Sequence, residues 1–368
     1  MGELLVKEFN SDAEKADWDK FVDESYSGDI IQFWEWGETK RDQGWKPLRL
    51  AVIEDGKMVL AALCLLKKAG LLGDYLYIGH GPVFNDKKQL AINLLALVDY
   101  LKAQQKKLNI FTIEIEPRFG KVGKDENIDR FSSNLKPLVD REIEMTILSA
   151  GFKKTRRNMQ PVYKLYYDLG LTEDELKAMM KKNTRYNIGL AERKGVVVNE
   201  YRASDPNIAA KIDEFYDLML DTQVRAKGYP IRPKSTFVKL FQEFKDRDNL
   251  VLFEAKFDNK LIAMNITERV KYWSSSFYAG SNRLFTEVKA PYLMRWKSIL
   301  SNKNYGSRLY DFWGIIPNSK QHQGYSDNKL SFGGVAVENY GIFAYPLISW
   351  KYKLWELFLK VRKTVSQK

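Results

Sequence analysis

The chain repeats its own pattern once, and any fold proposed for it must accommodate that duplication. Residues 50–63, LAVIEDGKMVLAAL, are two apolar runs around an Asp55-Gly56 turn, a β-hairpin signal. Residues 252–266, LFEAKFDNKLIAMNI, repeat it around Asp258-Asn259. Leu76-Tyr77-Ile78-Gly79 precedes a helix-like stretch at 90–103, as Phe277-Tyr278-Ala279-Gly280 precedes one at 290–300. The run LNIFTIEIEP at 108–117 is then matched by RLYDFWGIIP at 308–317. These elements keep the same order, each about 200 residues from its counterpart, which marks a duplicated domain.

Each half reads as strand, turn, strand, third strand, long helix, fourth strand. That is the core order of an N-acetyltransferase-like (GNAT) domain. The expected class is therefore α/β (α+β): two tandem GNAT-like modules, each a mixed sheet flanked by helices, without a coiled-coil arm. We place the modules at 1–165 and 166–345, with a C-terminal helix at about 346–368 packing back on the first. The stretch 118–138 reads as an extended loop, 142–150 as a short helix and 162–167 as a strand leading out of the first module. Thr172-Glu173-Asp174-Glu175 opens a capped helix, and 208–224 and 236–244 are two more helical patterns.

Composition narrows the chemistry. The charge is +12, from 59 Lys+Arg against 47 Asp+Glu, an excess that suits a polyanionic partner unless it is spread evenly for solubility. Cys64, the single cysteine, lies in an apolar run, so a buried thiol and a reducing compartment are expected. The N-terminus lacks a signal-peptide core, and no stretch reaches the roughly 18 apolar residues of a membrane span. A cytoplasmic monomer is the expectation. His80 and His322, the two histidines, have no ligand-type neighbours at metal spacing, so no metal site is expected. Chemistry here is not expected to rest on a covalent enzyme intermediate.

Many GNAT domains bind coenzyme A on a Gly-rich turn at a helix N-terminus. Neither half has that turn: the corresponding stretches are Gly79-His80-Gly81-Pro82-Val83-Phe84 and Gly280-Ser281-Asn282-Arg283-Leu284-Phe285. A basic chain of this fold without it suggests another acyl donor. Aminoacyl-tRNA, a polyanion carrying an activated ester, fits both observations.

Three stretches carry a family resemblance. Gln32-Phe33-Trp34-Glu35-Trp36-Gly37-Glu38-Thr39-Lys40 with Gly44-Trp45 resembles the first-module signature of the FemABX peptidyltransferases. Lys182-Asn183-Thr184-Arg185-Tyr186-Asn187-Ile188, then Ala191, Lys194 and Gly195, resembles their second-module entry. Tyr310-Asp311-Phe312-Trp313-Gly314-Ile315 with Lys329-Leu330-Ser331-Phe332-Gly333-Gly334 is the most specific match. Without a coiled-coil arm the chain is similar to the short, FemX-like form. The resemblance implies transfer of an amino acid from aminoacyl-tRNA to the stem peptide of a peptidoglycan precursor, either lipid-linked or soluble. No cofactor is implied beyond aminoacyl-tRNA as co-substrate. It also implies that Lys40, Arg225, Tyr229 and Tyr278 hold the precursor and that Lys329 acts at the reaction centre. The position before that lysine, aromatic in a short-form member, is Asn328 here.

The residues support parts of this independently. An Arg and a Tyr one helical turn apart can present charge and a phenolic donor to a diphosphate, although a solvated helix end gives the same pattern. A lysine ammonium can stabilise the oxyanion of ester aminolysis, and the Gly333-Gly334 pair would permit close approach of a crowded tRNA terminus. Glu114, Glu116 and Asp311 are carboxylates that could take a proton, with no base nominated. Lys153, Lys154, Arg156 and Arg157, and Lys181, Lys182 and Arg185, are candidate tRNA contacts or simply solvated charge. The basic-aromatic stretch 348–365 reads either as a membrane-surface helix or as one packed on the first module. The alternative function is a GNAT-like N-acyltransferase using a different activated donor on a small amine or sugar.

Overall fold

Both hairpin signals close as type I′ turns. Asp55 and Gly56 have φ of 49° and 76°, and Asp258 and Asn259 of 49° and 55°. Two left-handed residues in succession match the twist of the flanking strands, and Asp, Asn and Gly are the residues that tolerate them. The computed structural model describes residues 2–123, 131–225, 230–316 and 323–366. The chain forms two units: Met1–Lys121 with Asp140–Val162 and Asn339–Lys368, and Val122–Val139 with Tyr163–Glu338.

The sheet of the first unit runs Leu4–Phe9, Lys46–Glu54, Lys57–Lys68, Asp74–Gly79, Ile110–Glu116, Phe343–Pro346, Lys153–Lys154, with Val83–Phe84 beside Lys57–Lys68. Asp74–Gly79 and Ile110–Glu116 are parallel, joined through the helix Leu90–Ala103. In the second unit the order is Val197–Arg202, Leu250–Phe257, Lys260–Arg269, Trp273–Ser281, Leu309–Gly314, Tyr163–Asp168, Val335–Asn339. Its parallel pair, Trp273–Ser281 and Leu309–Gly314, is joined through the helix Ala290–Tyr305. Strand for strand, the two sheets correspond.

The crossover helices build the cores. Leu94, Leu97, Val98 and Leu101 pack on Leu60, Ile78 and Ile113 in the first unit, and Leu293, Trp296 and Ile299 on Val251, Phe253 and Ile262 in the second. Each such side chain contributes about 1.5–3 kcal/mol on burial. Cys64 lies in the first core, where burial pushes its thiol up.

Three details depart from the linear reading. Phe343–Pro346, a strand that the expected module boundary at 345 cuts through, pairs antiparallel with Ile110–Glu116 in the first sheet. Tyr163–Asp168, expected as an exit strand, pairs with Leu309–Gly314 in the second. Hydrogen bonding to the open side of each parallel pair decides this, and apolar patterning along a strand does not specify the edge it joins. Within the expected loop 118–138, Leu138 is buried, in a short 3₁₀ turn, Lys136–Val139. The C-terminal helix Ser349–Ser366 does pack on the first unit: Trp355 stacks on Tyr75 at 5.1 Å between ring centres, and Tyr352 is buried. No helix among the described residues is long and apolar enough to cross a membrane.

Candidate functional site

The two sheets differ where their parallel strands meet. In the first unit the pairing runs from Asp74 opposite Ile110 to Gly79 opposite Glu116. In the second it stops at Ser275 opposite Asp311, although both strands continue. Backbone and side chains beyond that fork are therefore released from the ladder, and the chemistry-bearing residues collect there.

Asp311 sits at the fork, fully buried. Its Oδ2 is 3.1 Å from Lys164 Nζ, which is also fully buried, and its Oδ1 accepts the Trp313 N–H at 2.6 Å. That second bond holds Trp313 at φ 64°, a conformation that bulky residues avoid without such support. The next residue, Gly314, turns its carbonyl to Lys329 Nζ at 2.8 Å. Lys329 is on the helix Gln323–Leu330 and 2% exposed, so it is not a surface loop lysine. From the crossover helix, Arg295 donates to Asn328 Oδ1, and its guanidinium lies 5.5 Å from the Phe332 ring. Burial, then the charges of Arg295 and Lys164, hold the Lys329 amine well below its usual range, against the opposing pull of Asp311.

Beside this cluster opens a cleft of about 530 Å³ lined by Lys181, Lys182, Asn183, Thr184, Tyr292, Asp327, Asn328 and Ser331. Lys181 and Lys182 flank the start of the helix Lys182–Arg193, whose dipole favours negative charge at that end. Thr184 Oγ1 bonds both the carbonyl and the hydroxyl of Ser331, fixing this helix to the segment that follows Lys329. The glycine pair is required by the chain itself. A Cβ on Gly333 would come within 2.4 Å of Met179 O, and one on Gly334 within 2.5 Å of Tyr166 O. Close approach here is by the protein's own backbone.

Aromatic contacts run outward from the fork. Lys164 Nζ lies 4.3 Å from the Trp313 ring, Trp313 packs on Phe277 at 4.9 Å, and Phe277 on Tyr278 at 4.6 Å. At the far end of the same strand Arg225 donates to Ser281 O and to Thr222 Oγ1. Burial and the neighbouring Arg283 lower its pKa, so two guanidinium groups crowd one edge. The structure thus gathers Arg225 and Tyr278 along one strand. Tyr229 lies outside the described residues, as do Pro317 and His322. Lys40 belongs to the first unit, with its amine 4.1 Å over the Trp36 ring and 3.2 Å from Gln43 Oε1.

Much of the first-module signature is scaffolding. Gln32 bonds Gly79 O and the Leu63 N–H, and Trp34 lies under Arg49 at 3.8 Å. His80 is also structural: its Nδ1 is 2.8 Å from Asp29, which Arg118 also engages. Glu114 and Glu116 are buried and occupied, the first by Arg157 and the second by Tyr77 and the amides of Met159 and Gln160, so neither is a solvated strand carboxylate. Among the basic candidates, Arg157 is committed to Glu114, Lys154 to Glu144, and Arg185 to the Lys177 and Met180 carbonyls. Lys153, Arg156, Lys181 and Lys182 are exposed. Lys164, Arg295 and Arg283 were not singled out by the sequence reading. A lysine inside the alternating strand Tyr163–Asp168 was the available signal for the first. Among the described residues, no group of three or more His, Cys, Asp or Glu could hold a metal.

Two corresponding sheets, each a meander closed by one parallel strand after a crossover helix, define a tandem GNAT fold. Comparisons by shape agree. The FemX crystal structure superposes with a TM-score of 0.80, at 19% identity over 95% of this chain and 99% of that one. A tandem GNAT protein from the clavulanic acid biosynthesis pathway superposes at 0.55, with 10% identity over 94% of this chain and 99% of its own. The chain belongs to the FemAB family, whose model matches residues 13–274 and 266–360. It is 30% identical over 245 residues to a Staphylococcus aureus lipid II:glycine glycyltransferase, covering 66% of this chain and 53% of that protein. The chain thus spans about half the length of the curated relatives it matches.

Proposed function

We propose that this protein is an aminoacyltransferase that moves an amino acid from aminoacyl-tRNA to the stem-peptide amine of a peptidoglycan precursor, with lipid II as the acceptor. The observation that carries this reading is Lys329. Its amine has its pKa lowered by burial and by the charges of Arg295 and Lys164, and it is set at a fork in the sheet beside an open basic cleft. The acceptor amine attacks the ester carbonyl of the aminoacyl group, forming the C–N bond and leaving negative charge on the carbonyl oxygen. Lys329 takes the proton that the attacking nitrogen sheds. The resulting ammonium stabilises the oxyanion and then protonates the departing 3′-oxygen of the tRNA. Lys181 and Lys182 supply charge for the acceptor end of the tRNA, with Lys153 and Arg156 as further contacts. Arg225, with Arg283 beside it, suits a diphosphate, and Tyr278 and Lys40 serve as further precursor contacts.

The relatives named for lipid II support the acceptor class, and the missing coenzyme A turn supports a different acyl donor. The test is transfer of labelled amino acids from charged tRNA onto lipid-linked and soluble precursors, with RNase treatment and Lys329→Met as controls. RNase-sensitive labelling that Lys329→Met abolishes is expected. Absence of labelling on both precursors, with acylation of an amine by coenzyme A thioesters, would overturn the reading.

A further inference from the structure

We infer that the outward face of the C-terminal helix is a docking surface for an anionic phospholipid bilayer. This goes beyond the transfer reaction and does not depend on it. The helix Ser349–Ser366 uses one side to hold the first unit, through Tyr352 and through Trp355 against Tyr75 and Phe111. Its other side carries Trp350, Leu354, Leu357, Phe358 and Val361, each between 48% and 60% exposed. With about 3.6 residues per turn these five side chains fall on one stripe opposite Tyr352, roughly a quarter of the circumference wide. A surface helix ordinarily turns its apolar stripe inward and charge outward; this one is apolar on both faces.

The charges sit where an interfacial helix needs them. On the same projection Lys353 and Lys360 border one side of the stripe, and Lys351 and Arg362 the other. Lys353, Lys360 and Arg362 are exposed. Glu356, the one acid of the helix, is kept on the packed side by the Tyr352 hydroxyl at 3.1 Å. Leu71 is fully exposed in the 3₁₀ turn Gly70–Leu72, and Ala69 and Leu72 on either side of it pack against the Phe111–Tyr352 cluster. It is a further exposed apolar side chain, next in sequence to residues that pack against the cluster seating the helix.

Single exposed apolar residues are ordinary, but a contiguous stripe is not. Apolar side chains can enter the headgroup boundary while the lysine and arginine stems reach back to the phosphates. A second copy of the chain would bring two positively bordered stripes face to face, whereas an anionic surface neutralises both borders.

The test uses the full chain, without substrates, sedimented with vesicles of phosphatidylcholine alone or mixed with phosphatidylglycerol. Binding to the anionic vesicles is expected. Leu354→Glu/Leu357→Glu should weaken it by about tenfold or more without changing the thermal midpoint. Lys353→Glu/Lys360→Glu, at exposed positions, should weaken it similarly and carries the test should the leucine pair fail to fold. The proposal is overturned by wild-type binding no stronger to anionic than to neutral vesicles, or by both variants binding as the wild type does. It is equally overturned by a wild-type dimer that the leucine variant dissociates while vesicles remain unbound.

Discussion

Lys164 Nζ lies 3.1 Å from Asp311 Oδ2, and neither side chain has any exposure to solvent. A buried pair of this kind does not add much over an apolar pair, but removing one partner strands the other charge. Asp311→Asn should therefore cost about 3–5 kcal/mol, read from urea unfolding midpoints. The double variant Asp311→Asn/Lys164→Met should lose less than the single one. Equal losses would show that the two groups are not coupled.

Lys329→Met keeps the volume of the buried side chain and removes its amine. Transfer should fall by about 10²- to 10⁴-fold, the usual contribution of a positioned acid or base, with tRNA affinity unchanged. A variant that transfers at the wild-type rate places the reaction centre elsewhere.

The depressed pKa of Lys329 gives a signed pH prediction. The rate should rise with pH through that lowered pKa and level above it. Arg295→Met removes a repelling cation, so the rising limb should move to higher pH. Stability follows the same linkage. The unfolded chain keeps this proton up to about its usual value of 10.5, while the folded chain releases it earlier. The contribution is thus most favourable above 10.5 and is lost as pH falls toward the folded pKa. Wild type should gain stability relative to Lys329→Met as pH rises toward 10.5, measured by urea unfolding at several pH values. A pH-independent difference argues against the shift.

Two kinds of basic residue should separate cleanly. Lys181→Glu/Lys182→Glu, at exposed positions lining the cleft, should weaken binding of aminoacyl-tRNA and reduce its salt slope by about two, with no loss of stability. Arg157→Met should leave tRNA affinity unchanged and cost about 2–3 kcal/mol, because Glu114 then remains buried without its guanidinium. Filter binding across a salt series, with thermal melts, distinguishes them.

Gly334 has φ 98° and no room for a Cβ beside Tyr166 O. Gly334→Ala should lower the stability by about 1–3 kcal/mol and, by shifting the segment that follows Lys329, reduce transfer as well. An unchanged melting temperature would mean that the chain relaxes there at no cost.

The sequence by itself determined the duplication. Hairpin turns and crossover helices are local patterns, set by left-handed turn residues and by apolar spacing, and a repeat makes them legible twice. It also singled out Lys329, through a run that resembles a known family, and the basic character of the C-terminal helix. Tertiary structure alone decided which strand joins which edge, because a strand's alternation specifies its face and not its neighbour. It likewise decided which charges are available. Arg157, in a basic run, looks no different in sequence from Lys181 and Lys182 at the cleft. Their roles depend on which carboxylate the fold brings opposite them and how much water it leaves, and neither is a property of the nearby sequence.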